Sequence, residues 1–337
     1  MQKYMIVLFL LFSGAIFLGA QDPVFSQFYA SPLQLNPAFT GNARAGLIAM
    51  NYRNQWPGLN RAYVTYAVSY DQYVDDLNSG FGISVLADDA GRGILKTFNL
   101  MGNYSYQVQI GKNLYARMGL EAGFINPTLD WNKLVFFDQI DPEFGFQGPT
   151  GVPIASSEIQ PEDLSRFIFD TGAGVLVYSD RFYGGVSLRH LNSPDMGFYD
   201  NPSTAIERGL PMRISIHAGA EFPLTDIPSR VYDPSVFIAP SFLYVRQGAF
   251  SQLNIGGLLN VNQVFGGLWY RHAGGNPDAL IFLMGFRYDQ FKIGYSYDFT
   301  ISKLYGRSGG GHEVSFSILF QDPNKKPDIN DCFQIFR

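Results

Sequence analysis

Phe291-Lys-Ile-Gly-Tyr-Ser-Tyr-Asp-Phe-Thr-Ile-Ser302 decides the fold. Phe291, Ile293, Tyr295, Tyr297, Phe299 and Ile301 take every second position; Lys292, Gly294, Ser296, Asp298, Thr300 and Ser302 fill the places between. Residues alternating in this way lie on opposite faces of a β-strand, whereas a helix needs apolar residues three and four apart. One face is apolar and aromatic, and the other is small, polar or charged.

The same period recurs outward along the chain. Residues 212–222 alternate Met212, Ile214, Ile216, Ala218, Ala220 and Phe222 with Arg213, Ser215, His217, Gly219 and Glu221. Residues 114–124 set Leu114, Met118, Leu120 and Phe124 against Arg117, Gly119, Glu121 and Gly123. Fourteen such segments are expected: 44–53, 61–71, 80–88, 94–109, 113–125, 167–178, 181–190, 211–222, 235–246, 249–261, 264–272, 279–289, 290–301 and 312–321. Most have about the 9–11 residues of a tilted transmembrane strand, and the count is even, as in bacterial outer-membrane barrels. Links after even strands are mostly tight, and the longest, 126–166 and 191–210, follow odd strands. That asymmetry matches short periplasmic turns and long external loops. Pro240 is the awkward residue, because it cannot donate to a ladder and a closed barrel has no edge; either a bulge lies there or that strand is wrongly placed.

Composition agrees. The 337 residues are 46% hydrophobic and 16% aromatic but only 16% charged, with 36 glycines and a formal charge of −5. An acidic chain is a poor nucleic-acid partner, and a single apolar run excludes a polytopic helical membrane protein. A water-soluble β-sandwich would turn these apolar faces inward and carry more charge outside. The one cysteine, Cys332, excludes a disulfide scaffold.

The single apolar run, Met5 to Leu18 behind Lys3, has the length of a signal-peptide core, with Gly19-Ala20 as the cleavage point. The expected divisions are therefore a signal peptide at 1–20, an N-terminal extended or plug-like segment at 21–43, an outer-membrane β-barrel at 44–321 and a periplasmic tail at 322–337. Both mature termini are then expected in the periplasm.

Gln21-Asp-Pro-Val-Phe-Ser-Gln-Phe-Tyr-Ala-Ser-Pro-Leu-Gln-Leu-Asn-Pro-Ala-Phe-Thr-Gly41 is the least strand-like stretch. It resembles the mature N-terminus of the PorP/SprF family of type IX secretion system membrane proteins from Bacteroidetes. Further resemblance lies in Tyr52-Arg53-Asn54-Gln55-Trp56, Val68-Ser69-Tyr70-Asp71, Gly294-Tyr295-Ser296-Tyr297-Asp298 and Gly311-His312-Glu313-Val314-Ser315. The resemblance implies a component of the apparatus that exports folded cargo and in some species supports gliding. Its implied partners are other type IX components in the periplasm and outer membrane, secreted cargo or a surface adhesin, and the lipid bilayer. It carries no catalytic residues and no cofactor.

Pro32 and Pro37 keep Leu35-Asn36-Pro37 out of any membrane strand. This stretch is either a plug or docking segment or a lid over the first strand. Arg53, Gln55 and Trp56 end the first strand, Trp56 as an interface anchor and Arg53 as an ion-pair partner. By alternation Arg117, Glu121, Arg189, Arg213, Glu221, Arg287, Asp289, Lys292 and Asp298 face the lumen. Both signs are present, so mutual ion pairing that narrows the interior is expected rather than a general porin. Leu35, Asn36, Pro37, Arg53, Gln55, Trp56, Phe333 and Phe336 are the candidate docking residues for partners. Trp131, Phe136, Phe137, Phe144 and Phe146 in the 126–166 loop either fold over the barrel or meet cargo.

No enzyme motif accompanies these features. His190, His217, His272 and His312 are scattered, and adjacent His312 and Glu313 point to opposite faces of a strand. Gly309-Gly310-Gly311 has no following helix with which to cradle a phosphate. The sequence thus predicts a non-enzymatic export or anchoring barrel. The alternative is a 14-stranded transporter for a hydrophobic small molecule, its aromatic loop guiding the ligand.

Overall fold

The computed structural model describes residues 21–59, 62–145, 152, 154–199, 209–224, 236–320 and 332–336. The expected signal peptide, 1–20, lies outside them. Fourteen antiparallel strands follow in chain order: β1 (Gly46–Gln55), β2 (Tyr63–Val74), β3 (Ser79–Ala90), β4 (Leu95–Gly111), β5 (Leu114–Leu129), β6 (Ile168–Tyr178) and β7 (Phe182–Arg189). The second half comprises β8 (Arg213–Ala220), β9 (Val236–Gln247), β10 (Phe250–Val261), β11 (Val264–Ala273), β12 (Asn276–Tyr288), β13 (Phe291–Thr300) and β14 (Gly311–Phe320). Each pairs with its chain neighbours, and β1 pairs with β14 from Gly46↔Phe320 to Gln55↔Gly311. The sheet is closed, so no edge is left with unpaired backbone groups, as a strand-built membrane crossing requires.

The alternation read from 291–302 is realised residue by residue. In β13, Phe291, Ile293, Tyr295 and Phe299 are exposed on the outer wall, and Lys292, Gly294, Ser296, Asp298 and Thr300 are buried inside. Met284 is 66% exposed and Leu120 59%, while Glu313 and Ser296 are fully buried. Apolar outside and polar inside is what a hydrocarbon surround selects.

Pro240 sits within β9 without a bulge. On one side it stands opposite Gly257 of β10. On the other, β8 pairs only as far as Ser241↔Gly219, and pairing resumes at Ile238↔Phe222 in a two-residue continuation, Phe222–Pro223. Between them Glu221 leaves the ladder and donates its backbone N–H to Arg181 O at 2.8 Å. The missing proline donor thus falls where the partner strand is already interrupted.

The near end of the barrel, where β1 begins and β14 finishes, has tight turns at 112–113, 262–263 and 289–290. The stretch 72–79 left between the expected segments 61–71 and 80–88 shrinks to 75–78, because β2 and β3 each extend further than the alternation suggested. The far end carries the longest links, after β5 and β7. Asp289 differs from expectation: it occupies the turn after β12 with φ of 52° and is exposed rather than lumenal.

Candidate functional site, an occupied lumen

Residues 21–45 do not stop at the barrel mouth; they run through its interior. Proline places the first short helix at Pro32–Leu35 and a 3₁₀ turn at Pro37–Phe39, each proline at a first turn where its missing N–H costs nothing. Asn36 joins them: its Oδ1 accepts from Ala38 N at 2.8 Å, and its Nδ2 donates to Val175 O and Val186 O, each at 3.2 Å. Leu33, Asn36, Ala38 and Phe39 are fully buried.

Glycines on the inner wall let this backbone approach. A Cβ on Gly119 would lie 2.2 Å from Ala38 N, and one on Gly174 would lie 1.9 Å from Asn36 Oδ1. No side chain fits at either place, so the two strands are shaped to the segment.

At the far end the wall receives the segment through charge. Arg53 Nη2 lies 2.9 Å from Asp298 Oδ2, and Arg53 Nη1 lies 3.0 Å from Glu313 Oε2. Arg271 Nη1 joins Asp298 at 2.7 Å. Into this set comes Ser26: its N–H donates to Glu313 Oε2 at 2.8 Å, and its hydroxyl donates to Asp298 Oδ2 at 2.8 Å. The N–H of Gln27 takes the other Glu313 oxygen at 2.9 Å. Buried charges of both signs are tolerated only when paired and hydrogen-bonded in this way.

The start of the segment is tied beside this set. Asp22 Oδ2 lies 2.7 Å from His190 Nε2 and 3.4 Å from Arg213 Nη1, and His190 Nδ1 lies 2.9 Å from Asp170 Oδ2. His190 follows β7. Burial alone would lower its pKa, but Asp22 and Asp170 hold the imidazolium and raise it to about 9. Asp22 is pulled well below the usual carboxylate range: burial opposes this, and His190 and Arg213 overcome it.

Further in, Glu121 pairs with Arg189 at 2.8 Å, and Arg189 also donates to Leu33 O at 2.8 Å. At the near end Arg117 donates to Thr40 O at 3.2 Å and Gly41 O at 3.3 Å, while Asp71 accepts from Gly41 N at 2.6 Å. Asp22 therefore lies at the far end and Gly41 at the near end. The expectation of both mature ends on one side meets a different arrangement, because the start of the segment sits at the end opposite to the close of β14.

The end of the chain also turns inward. Cys332, Phe333, Ile335 and Phe336 are buried, where a periplasmic tail would have left them in solvent. Phe333 packs on Tyr178 and Tyr183, with ring centroids 4.7 and 5.8 Å apart, and Phe336 stacks on Phe39 at 4.5 Å. Arg287 Nη2 donates to Gln334 O at 2.8 Å, Lys292 Nζ donates to Ile335 O at 2.5 Å, and Gln334 N donates to Glu221 Oε2 at 3.2 Å. A gap of about 10 Å³ beside Lys292 and Phe336 has room for roughly one water.

Of the expected lumenal set, Arg117, Glu121, Arg213, Glu221, Arg287, Lys292 and Asp298 all contact the segments inside the barrel or the residues that hold them. Charges on the wall pair with one another, as in Arg53–Asp298, Arg53–Glu313, Arg271–Asp298 and Glu121–Arg189, and they also hold the filling. Leu35, Asn36, Pro37, Phe333 and Phe336 lie inside, Arg53 is buried, and Gln55 and Trp56 are half-buried at the rim. Gln55 accepts from Arg53 Nη2 at 3.2 Å; Trp56 meets the Tyr63 ring edge-on. Sequence reasoning passed over Glu313, Arg271, Asp22 and Asp170. The inward parity of Glu313 and Arg271 was readable, but a partner from a non-periodic segment was not.

In the 126–166 loop, Trp131 and Phe136 pack together at 4.8 Å, whereas Phe137 is 92% exposed and Phe144 is exposed as well. Phe146 lies outside the described residues.

No curated protein matches this chain. Among solved structures it is similar to the Pseudomonas putida toluene transporter TodX, at 11% identity over 85% of this chain and 93% of that one, with a TM-score of 0.46. It is similar also to a Pseudomonas aeruginosa FadL homologue, at 12% identity over 85% and 93%, with a TM-score of 0.41. A Rhodopseudomonas blastica porin mutant aligns at 7% identity over 81% and 98%, with a TM-score of 0.33. These likenesses are remote, and nothing about transport by this chain follows from them. The family model described as type IX secretion system membrane protein PorP/SprF, by contrast, matches residues 18–318. With that match spanning the closed barrel and the segment within it, the chain belongs to the PorP/SprF family of type IX secretion system membrane proteins.

Proposed function

We propose that this outer-membrane barrel serves type IX secretion as a plugged scaffold, working through its surfaces rather than as a conduit. One observation carries the reading: the lumen is filled end to end by residues 22–42, with 332–336 stacked beneath them. A pathway for folded cargo cannot share that space. The exposed far-end loops, Phe137 among them, then meet cargo or a surface adhesin, and the near end faces the periplasmic machinery. Two anchors on opposite faces of a rigid, closed sheet would couple an external partner to an energised internal one.

The test compares cell-surface and medium proteins of a deletion strain with its complemented parent. Loss of all type IX cargo makes the protein a core component, and loss of one large adhesin makes it a dedicated partner. Unchanged export sinks the reading and leaves the hydrophobic-ligand transporter in its place, to be checked by uptake. Gliding is scored in the same strains.

A further inference from the structure

We propose that the near end of the lumen is a peptide-binding site, occupied in cis by Cys332–Phe336, whose ligand class is a short segment of another chain bearing two aromatic side chains three residues apart. The proposal deepens the scaffold reading by giving the near end a defined receptor.

The contacts have the form of peptide recognition. Three bonds hold the main chain of the segment: Arg287 to Gln334 O, Lys292 to Ile335 O, and Gln334 N to Glu221. Such bonds are available to any peptide backbone. Selectivity comes from Phe333 and Phe336, which enter an aromatic seat made by Tyr178, Tyr183 and Phe39. Tyr178 ends β6 and Tyr183 is the second residue of β7, so the seat's wall is a tight hairpin that exists with or without the tail. Phe39 belongs to the N-terminal segment, locked by Asn36 and Thr40. Phe-x-x-Phe spacing is thus read by a preformed surface, while Gln334 and Ile335 offer backbone carbonyls and an amide.

The same geometry makes the occupant displaceable. Eleven residues, 321–331, tether the segment to β14, giving it an effective concentration on the order of millimolar. A ligand in trans succeeds only by outcompeting this tether, so the tail sets a threshold for engagement.

Cys332, the only cysteine in the chain, reports occupancy because it is buried only while the tail is seated. The experiment measures maleimide labelling of the full-length, detergent-purified barrel. The probe is a synthetic hexapeptide copying residues 332–337 with serine replacing the cysteine, and a scrambled peptide is the control. The expected result is slow labelling of the native barrel, accelerated at least tenfold by millimolar peptide and not by the scramble. Phe336→Ala is expected to label at least tenfold faster without peptide. Labelling of the native barrel at the rate of an unfolded sample would overturn the seat. Protection that persists at saturating peptide would make the tail a fixed stopper and overturn the exchange. Acceleration by raised barrel concentration alone would assign the seat to a second copy's tail and overturn the partner. No secretion is scored, so failure here is distinct from failure of the export reading.

Discussion

Ser26 and Glu313 stand 287 positions apart in sequence, yet the backbone N–H of Ser26 donates to the Glu313 carboxylate at 2.8 Å inside the barrel. Glu313 also takes the N–H of Gln27 and the guanidinium of Arg53. Glu313→Ala would strand two buried amides and leave the buried Arg53 guanidinium with Asp298 as its one remaining carboxylate. Breaking a buried pair of this kind costs about 3–5 kcal/mol. The expected outcome is a lower unfolding temperature in detergent and faster proteolysis within 22–42, and an unchanged digestion pattern would contradict it.

Arg53→Lys tests the fork rather than the charge. Arg53 reaches Glu313 through one nitrogen and Asp298 through another, and a lysine offers one point charge to two divergent carboxylates. About 1–3 kcal/mol of stability should be lost, read as a fall in unfolding temperature smaller than that of Glu313→Ala.

Glycine-to-valine changes on the inner wall should separate filling from folding. At Gly119 a Cβ would meet Ala38 N at 2.2 Å, so Gly119→Val must push the segment aside. At Gly102, on the outer wall, the nearest atom to a new Cβ is 3.7 Å away. Gly119→Val should raise conductance in planar bilayers and Gly102→Val should not. Equal, silent traces would mean that the segment gives way without opening a path.

The His190 anchor has a definite pH sense. Its pKa in the folded protein is about 9, above the ordinary 6.5, because Asp22 and Asp170 hold the charged ring. Stability from this anchor is fully present below about pH 6.5 and is lost as pH rises through about 9, amounting to roughly 3 kcal/mol at most. Unfolding temperatures of the native protein and His190→Gln should differ most at pH 6 and converge above pH 9. A constant difference across that range would show that the ring acts as a neutral hydrogen-bonding group.

The barrel wall was legible because each strand meets two solvents. Lipid outside and a polar interior force the period of two, and Phe291 to Thr300 carries it without exception. The filling was not legible, because Leu35-Asn36-Pro37 and Phe333 to Phe336 obey no period and their partners come from distant strands. His312 and Glu313 show the boundary between the two cases. Their opposite faces were readable, and His312 meets Tyr295 on the outer side, yet only the fold reveals that Glu313 receives Ser26. The inward glycines at 119 and 174 were the available clue, since a wall leaves out side chains where something must lie against it.

The route of residues 22–42 also constrains how the molecule comes into being. The segment begins among far-end charges and leaves at the near end to become β1, while β1 and β14 are zipped together by ten residue pairs. A ring already zipped would offer no passage for Asp22 and the residues after it to be threaded through its length. Residues 22–42 must therefore lie in place against Asp298 and Glu313 before the final strand shuts against the first. The segment acts as the mandrel on which the cylinder is wound, and its errors become defects of biogenesis before they become defects of function.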